Sequence, residues 1–221
     1  VPPEDAHHLA LLPGYLERPD SSLVWMIHDF MQIAYDPPDR SFFKCDFDAL
    51  IEQLDRWSAE TSKPLILWGV GFGLLDFAAH CRQQGYQLRS NVTVVETGGM
   101  KGRRKEWIRE ALHEQLGADL GVSSVASEYG MTEMTSQAYA RKNGFFQSPP
   151  WMNVLIRDST DPFTLVSDSS IGGLNIIDLA NLYSCPFLAT QDLGRRHPNG
   201  CFEVLGRFDY SDIRGCSLMM A

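Results

Sequence analysis

Residues 91–99 read Asn-Val-Thr-Val-Val-Glu-Thr-Gly-Gly (NVTVVETGG), and their reading decides the fold. A short apolar run bounded by turn formers predicts a strand over 91–96, ending in Thr97-Gly98-Gly99. Glycine has no Cβ and tolerates positive φ, so a ligand can lie against bare backbone there. Parallel sheets bind ligands just beyond the carboxyl ends of their strands. A plain turn is the competing reading of Gly98-Gly99.

Working upstream, Pro64-Leu-Ile-Leu-Trp68 is a second short buried strand, bounded by Gly69, Gly71 and Gly73. A helix from about Leu74 to Gln84 follows, stopped by Gly85. Downstream, Trp107, Ile108, Ala111, Leu112 and Leu116 mark another amphipathic helix, with Gly117 as its expected stop. The strand–helix–strand–helix order over 64–117 predicts an α/β layer with parallel strands. Asp46 is the N-cap of an earlier helix whose apolar face is Phe47, Leu50, Ile51, Leu54 and Trp57. Residues 1–44 are rich in proline and read as irregular segments around the apolar stretch Leu23–Tyr35. From about 150 the character changes to short strands at 151–156, 173–177 and 201–205, separated by Asp, Ser, Gly and Pro. The expected organisation is an α/β subdomain over 1–145 and a β-rich subdomain over 146–221.

Composition narrows the function. Hydrophobic residues make up 44% and charged residues 21% of 221 residues, as in ordinary globular chains. The formal charge of −9 provides no basic footprint for nucleic acid. The longest apolar runs, such as Pro64–Gly73, are too short to span a membrane, and the first residues have no signal-peptide pattern. Five scattered cysteines without a Cys-x-x-Cys pair argue against a disulfide framework or a zinc site and fit a reducing cytoplasm. Cys45, Cys81, Cys185 and Cys201 read as small buried hydrophobes.

Three further stretches carry candidate chemistry. In Tyr129-Gly130-Met131-Thr132-Glu133, the tyrosine can stack on a base while the glycine leaves room for it. Thr132 offers a hydroxyl and an N–H to a phosphate, and Glu133 offers the carboxylate oxygen that Mg²⁺ prefers. In Thr190-Gln191-Asp192, the carboxylate follows an expected strand end and can accept from both hydroxyls of a ribose. In Gly206-Arg207-Phe208-Asp209, Arg207 supplies a planar, permanently charged fork. Each stretch taken alone is an ordinary turn. Together they form an ordered set.

That order resembles the adenylate-forming superfamily of acyl-CoA synthetases, peptide-synthetase adenylation domains and luciferases. In that family a glycine pair after a strand is followed by Tyr-Gly-x-Thr-Glu, Thr-Gly-Asp and Gly-Arg-x-Asp. This sequence departs from the pattern at Gln191, where the family has glycine. Three stretches are similar to the LuxE-like acyl-protein synthetase branch: ETGGMKGRRKE (96–106), NIIDLANLYSCPFLATQDLG (175–194) and IRGCSL (213–218). The resemblance covers roughly 92–219. It implies an ATP- and Mg²⁺-dependent activation of a fatty carboxylate as acyl-AMP. The acyl group then passes to a cysteine and on to a protein partner, an acyl reductase or acyltransferase. It implies Gly98, Gly99, Tyr129 and Gly130 around the adenine, Thr132 at the α-phosphate, Glu133 on the metal, and Asp192 and Arg207 on the ribose. Cys216 is the expected acyl carrier: Arg214 beside it favours the thiolate, and Gly215 keeps its approach open. A phenylacetate-type acyl-CoA ligase and a nucleotide-binding module that docks on a reductase are the alternatives.

Two expected parts do not occur in the 221 residues: the Ser/Thr-Gly phosphate loop and the C-terminal lid with its lysine. The loop would lie upstream of Val1, and this chain alone is expected to be weak in adenylation. His28 reads as a core histidine, and Lys101, Arg103, Arg104 and Lys105 as a solvated helix start.

Overall fold

The computed structural model describes residues 1–13, 21–98 and 108–208. The elements in chain order are β1 (His7–Leu11), α1 (Ser22–Ala34), β2 (Phe42–Phe43), α2 (Phe47–Glu60), β3 (Leu65–Gly69), α3 (Gly71–Gln84), β4 (Val92–Thr97), α4 (Arg109–Leu120), β5 (Ala126–Tyr129), β6 (Ala138–Ala140), β7 (Met152–Arg157), β8 (Ile171–Asp178), β9 (Phe187–Arg196) and β10 (Phe202–Arg207). They form two sheets, ordered β2-β1-β3-β4-β5-β6 and β10-β9-β8-β7. The chain divides into two compact units: residues 1–132 with 139–144, and residues 133–138 with 145–221.

In the first unit, β1 pairs with both β2 and β3, β3 with β4, and β4 with β5, all in parallel. Helices cover both faces, so the strands are apolar almost throughout. Leu9, Leu67, Val94 and Val125 pack with Leu50 and Leu54 of α2, Phe77 of α3 and Leu116 of α4. The opposite face carries Ala10, Trp68 and Val95 against Ile27 and Met31 of α1. The anticipated Asp46 cap is present: its carboxylate accepts from the Ala49 N–H at 3.1 Å. Gly85 ends α3 in the left-handed conformation, φ 65°.

Two local expectations needed correction, and the apolar stretch Leu23–Tyr35 takes a definite form. It forms α1, capped by the Ser21 hydroxyl and ended by a left-handed Tyr35, with Ile27, Met31 and Ala34 buried at helical spacing. His7–Leu11 is a strand, and it holds the position between β2 and β3. Gly117 does not stop α4: the helix runs on to bury Leu120 one turn after Leu116, and Gly121 at φ 72° is the cap. The i, i+4 series Leu112, Leu116, Leu120 outweighs a single interior glycine.

The second unit is antiparallel, as its alternating strands require. Val154, Ile156, Leu174, Ile176, Phe146 and Phe202 are buried. The rings of Phe146 and Phe202 stack at 5.4 Å, and their backbones exchange hydrogen bonds. No helix among the described residues is long and apolar enough to cross a membrane.

Candidate functional site

The predicted site residues fall into two sets, one in each unit. In the first, β4 and β5 run side by side, with Glu96 beside Ser127 and Thr97 beside Glu128. Successive strand residues point to opposite faces, so each pair shares one face. On one face His113 of α4 lies 3.2 Å from the Ser127 hydroxyl and 3.9 Å from the buried Glu96 carboxylate. Glu128 belongs to the other face. Burial and the Glu96 charge push its carboxyl up to about 7. The Thr97 hydroxyl is buried with no hydrogen-bond partner among the described residues.

Beyond these ends comes Gly98, at φ 68° with open space where a Cβ would stand. A positive φ with nothing in front of it fits both readings of this glycine, a bare-backbone surface and a plain turn. Tyr129 ends β5 half-buried, and Gly130 and Thr132 are exposed. The Thr132 hydroxyl lies 3.1 Å from that of Ser22, in the first turn of α1. Gly99 and Cys216 lie outside the described residues, as do Asp209 and the Lys101, Arg103, Arg104 and Lys105 cluster. His28 is half-buried on α1, with its ring edge-on to Trp25 at 6.2 Å, rather than in the core. A cavity of about 450 Å³ opens beside α4, lined by residues that include Arg109, His113, Ser123 and Lys142. It takes in none of the predicted site residues.

The second set begins at Glu133, whose side chain is exposed and whose backbone is strapped to the β8 end. Asn181 donates to the Glu133 carbonyl at 2.7 Å, and its own side-chain oxygen accepts from the Thr135 hydroxyl. Asp178, fully buried, accepts from the Thr135 and Ser136 N–H groups at 2.9 and 2.8 Å and from the Ser136 hydroxyl at 2.6 Å. These bonds hold its carboxyl below the usual carboxylate range, against the opposing effect of burial. Among the described residues no group of three potential metal ligands occurs. A Mg²⁺ ion at Glu133 would therefore draw most of its oxygens from phosphate and water, which is the ordinary manner for this ion.

Asp192 and Arg207 are direct cross-strand partners on β9 and β10. Arg207 Nε lies 3.6 Å from Asp192 Oδ1, with the arginine side chain largely exposed. Gln191 joins them: its side-chain oxygen accepts from Arg207 at 3.3 Å, and its carbonyl accepts from the Phe208 N–H at 2.9 Å. Gly206, just before Arg207 and opposite Leu193, has φ 152°, strained for any residue with a Cβ. Asp192 does not follow a strand end, as the sequence suggested. It sits inside a ten-residue strand, at a break in the ladder. Gly173 pairs with Leu193 and Asn175 with Ala189, so Leu174 alone faces Thr190, Gln191 and Asp192. Such a bulge re-aims side chains without ending the strand.

Sequence reasoning missed Asp178, Asn181 and Arg157, and noted Gln191 only as a departure from glycine without giving it a role. Arg157 is buried, and its guanidinium donates to the Leu174 carbonyl at 3.0 Å, the Asn175 side chain at 2.8 Å and the Thr190 carbonyl. Its period along β7, opposite Val154 and Ile156, marks it as solvent-facing. The cysteine expectation also changes. Cys81 is buried, its thiol pushed up to about 12, whereas Cys45 and Cys185 are exposed and Cys201 is half-buried.

No family model matches the sequence, and no curated protein does. Solved structures do match. ATP-bound MatB from Rhodopseudomonas palustris superposes with a TM-score of 0.61 at 16% identity, over 90% of this chain and 40% of its own. The luciferase-like enzyme from the nonluminescent mealworm Zophobas morio gives 0.62 at 15%, over 93% and 49%. Coronafacic acid ligase from Pectobacterium brasiliense gives 0.59 at 19%, over 94% and 40%. The chain therefore shares the fold of part of these enzymes, a parallel α/β layer followed by an antiparallel one. The chain spans less than half the length of each of these structures.

Proposed function

We propose that the chain is the nucleotide-handling part of an ATP-dependent ligase that activates a long-chain carboxylate and passes it to a protein thiol. In the first step a carboxylate oxygen attacks the α-phosphorus, and pyrophosphate leaves. In the second a thiolate attacks the acyl carbonyl, AMP leaves with the bonding electron pair, and a thioester remains. A carboxylate is a poor electrophile, and the mixed anhydride divides one difficult transfer into two easier ones. Gly98, Gly99, Tyr129 and Gly130 accommodate the adenine, and Thr132 contacts the α-phosphate while its phosphorus–oxygen bonds exchange. Glu133 contributes to Mg²⁺ binding, and Asp192 and Arg207 hold the ribose hydroxyls.

The observation that carries this reading is the Asp192–Arg207 pair. Two residues from separate motifs, fifteen positions apart in sequence, meet across two strands with their polar ends at 3.6 Å. An acceptor and a donor side by side complement a vicinal diol, whose hydroxyls both donate and accept. The ATP-bound neighbour is consistent with the same ligand.

Cys216 is the proposed acyl carrier and an acyl reductase or acyltransferase the proposed recipient. Incubation with radiolabelled fatty acid and ATP is expected to label the protein, and Cys216→Ser to abolish the label. Because Cys45 and Cys185 are exposed, the Cys45→Ser/Cys185→Ser protein is the control, expected to label normally. Label that persists in Cys216→Ser rejects the carrier. The neighbours named as a ligase and an amide bond synthetase favour one second reading, a small-molecule acceptor such as coenzyme A. Product released to solution, with none on the protein, would select it.

A further inference from the structure

We propose that Arg157 is a positioning residue for ribose recognition: its guanidinium substitutes for the ladder bonds missing at the β9 bulge and so holds Asp192 opposite Arg207. The inference rests on the nucleotide reading above and concerns a residue that touches no ligand in it.

The argument starts from the bulge. Where Leu174 faces Thr190, Gln191 and Asp192, the two strands lose regular pairing. Backbone carbonyls released from a ladder must find other donors when they are buried. The Leu174 carbonyl accepts from Arg157 Nη1 at 3.0 Å and from the Thr190 hydroxyl at 3.0 Å. The Thr190 carbonyl accepts from Arg157 Nη2. The Thr190 hydroxyl in turn accepts from the Asp192 N–H at 3.1 Å. One planar fork thus bridges β8 and β9 at the bulge, and a single hydroxyl relays it to the Asp192 backbone.

The same side chain reaches the other half of the pair. The Arg157 guanidinium carbon stands 5.3 Å from the ring centroid of Phe208, the residue after Arg207. The Phe208 N–H is bonded to the Gln191 carbonyl, inside the bulge. Arg157 is therefore fixed against both segments that carry the diol pair.

Two sequence features serve this placement. A Cβ at Gly173 would stand 2.4 Å from Arg157 Cζ, so glycine there makes room for the guanidinium. Among the described residues no carboxylate pairs with Arg157. A buried guanidinium whose acceptors among the described residues are carbonyl and amide oxygens is an expensive way to fill a sheet, unless its fork geometry is what is needed. A lysine has no such fork.

The test uses the full chain, with AMP and 2′,3′-dideoxy-AMP as probes and binding followed by calorimetry. The wild type is expected to prefer AMP, and Arg157→Lys to lose about tenfold of that preference, the size of lost hydrogen bonds to a charged group. Binding of the dideoxy compound should change little. Gly173→Ala, which leaves the arginine in place but displaces its head, is expected to do the same. A loss that is equal for both probes would mean a merely structural role, and an unchanged ratio would overturn the proposal. If the wild type itself shows no preference, the ribose reading falls and takes this inference with it. A measurement on the wild type needs no variant. Slowly exchanging Arg157 Nη protons with contacts to the Phe208 ring are expected in NMR spectra, and rapid exchange of those protons would also overturn it.

Discussion

Glu128 stands half-buried at the end of β5, on the face of the sheet that also carries Tyr139, whose hydroxyl is shifted upward by burial and by the Glu128 charge. Its carboxyl is pushed from 4.5 to about 7 by burial and by Glu96. The fold therefore favours the protonated form. That favour is fully present below pH 4.5 and is lost as the pH rises through about 7. Glu128→Gln keeps the shape and removes the charge. The variant is expected to gain on the wild type between pH 5 and pH 8 by about 1–2 kcal/mol, discounted for partial exposure. Thermal unfolding at the two pH values checks this, and equal slopes for both proteins would refute it. At this scale the letters singled out Asp192 and Arg207, which stand opposite one another on β9 and β10, though not the mid-strand position of Asp192. They were unreadable at Glu128 and Arg157, because a carboxyl's or guanidinium's burial depends on what distant strands place around it.

Asp178 shows what an element contributes beyond its own residues. It closes β8 and caps the short turn after it by accepting from the Ala180 N–H at 3.2 Å. It also fastens Thr135 and Ser136, and Trp151 donates to the same Ser136 hydroxyl at 2.9 Å. Asp178→Ala would leave these donors without an acceptor, a loss of about 3 kcal/mol or more to the second unit. Amide exchange is expected to quicken first at Thr135 and Ser136, while Leu67 and Val94 of the first unit keep their protection. Uniform quickening would show that the strap is not local. Helices α2, α3 and α4 and strands β3 and β4 were legible because burial on one or two faces leaves a period in the letters. Strand β1 and helix α1, set among prolines, were not, and neither was the bulge at 190–192. A break in register leaves no period, and a run such as Thr-Gln-Asp-Leu reads equally as a strand end.

The chain superposes over nearly its full length, yet on less than half of each of the three longer structures named above. A phosphate loop of the Ser/Thr-Gly type does not occur in its 221 residues. Preorganised donors that stabilise developing charge account for much of the rate in such catalysis, and a missing cradle costs both affinity and rate. Under the proposed function, the purified chain is expected to bind AMP yet to give only weak acid-dependent pyrophosphate exchange. Full exchange would show that some other group serves the phosphates. The overall α/β-then-β order could be read from the letters, since it follows from periodicity alone. The division into units could not be read so finely, because it depends on residues 133–138 siding with the later strands.

That exchange of a short piece has a consequence for how the molecule can be taken apart. The backbone changes sides three times within a dozen residues, after 132, 138 and 144. A clone starting at Phe145 would omit the ribbon that Asp178 grips, and one stopping at Gly144 would carry that ribbon with nothing to grip it. A cut after Thr132 would keep every residue of the second unit together but strip β6 from the first sheet, so no single scission gives both units all of their residues.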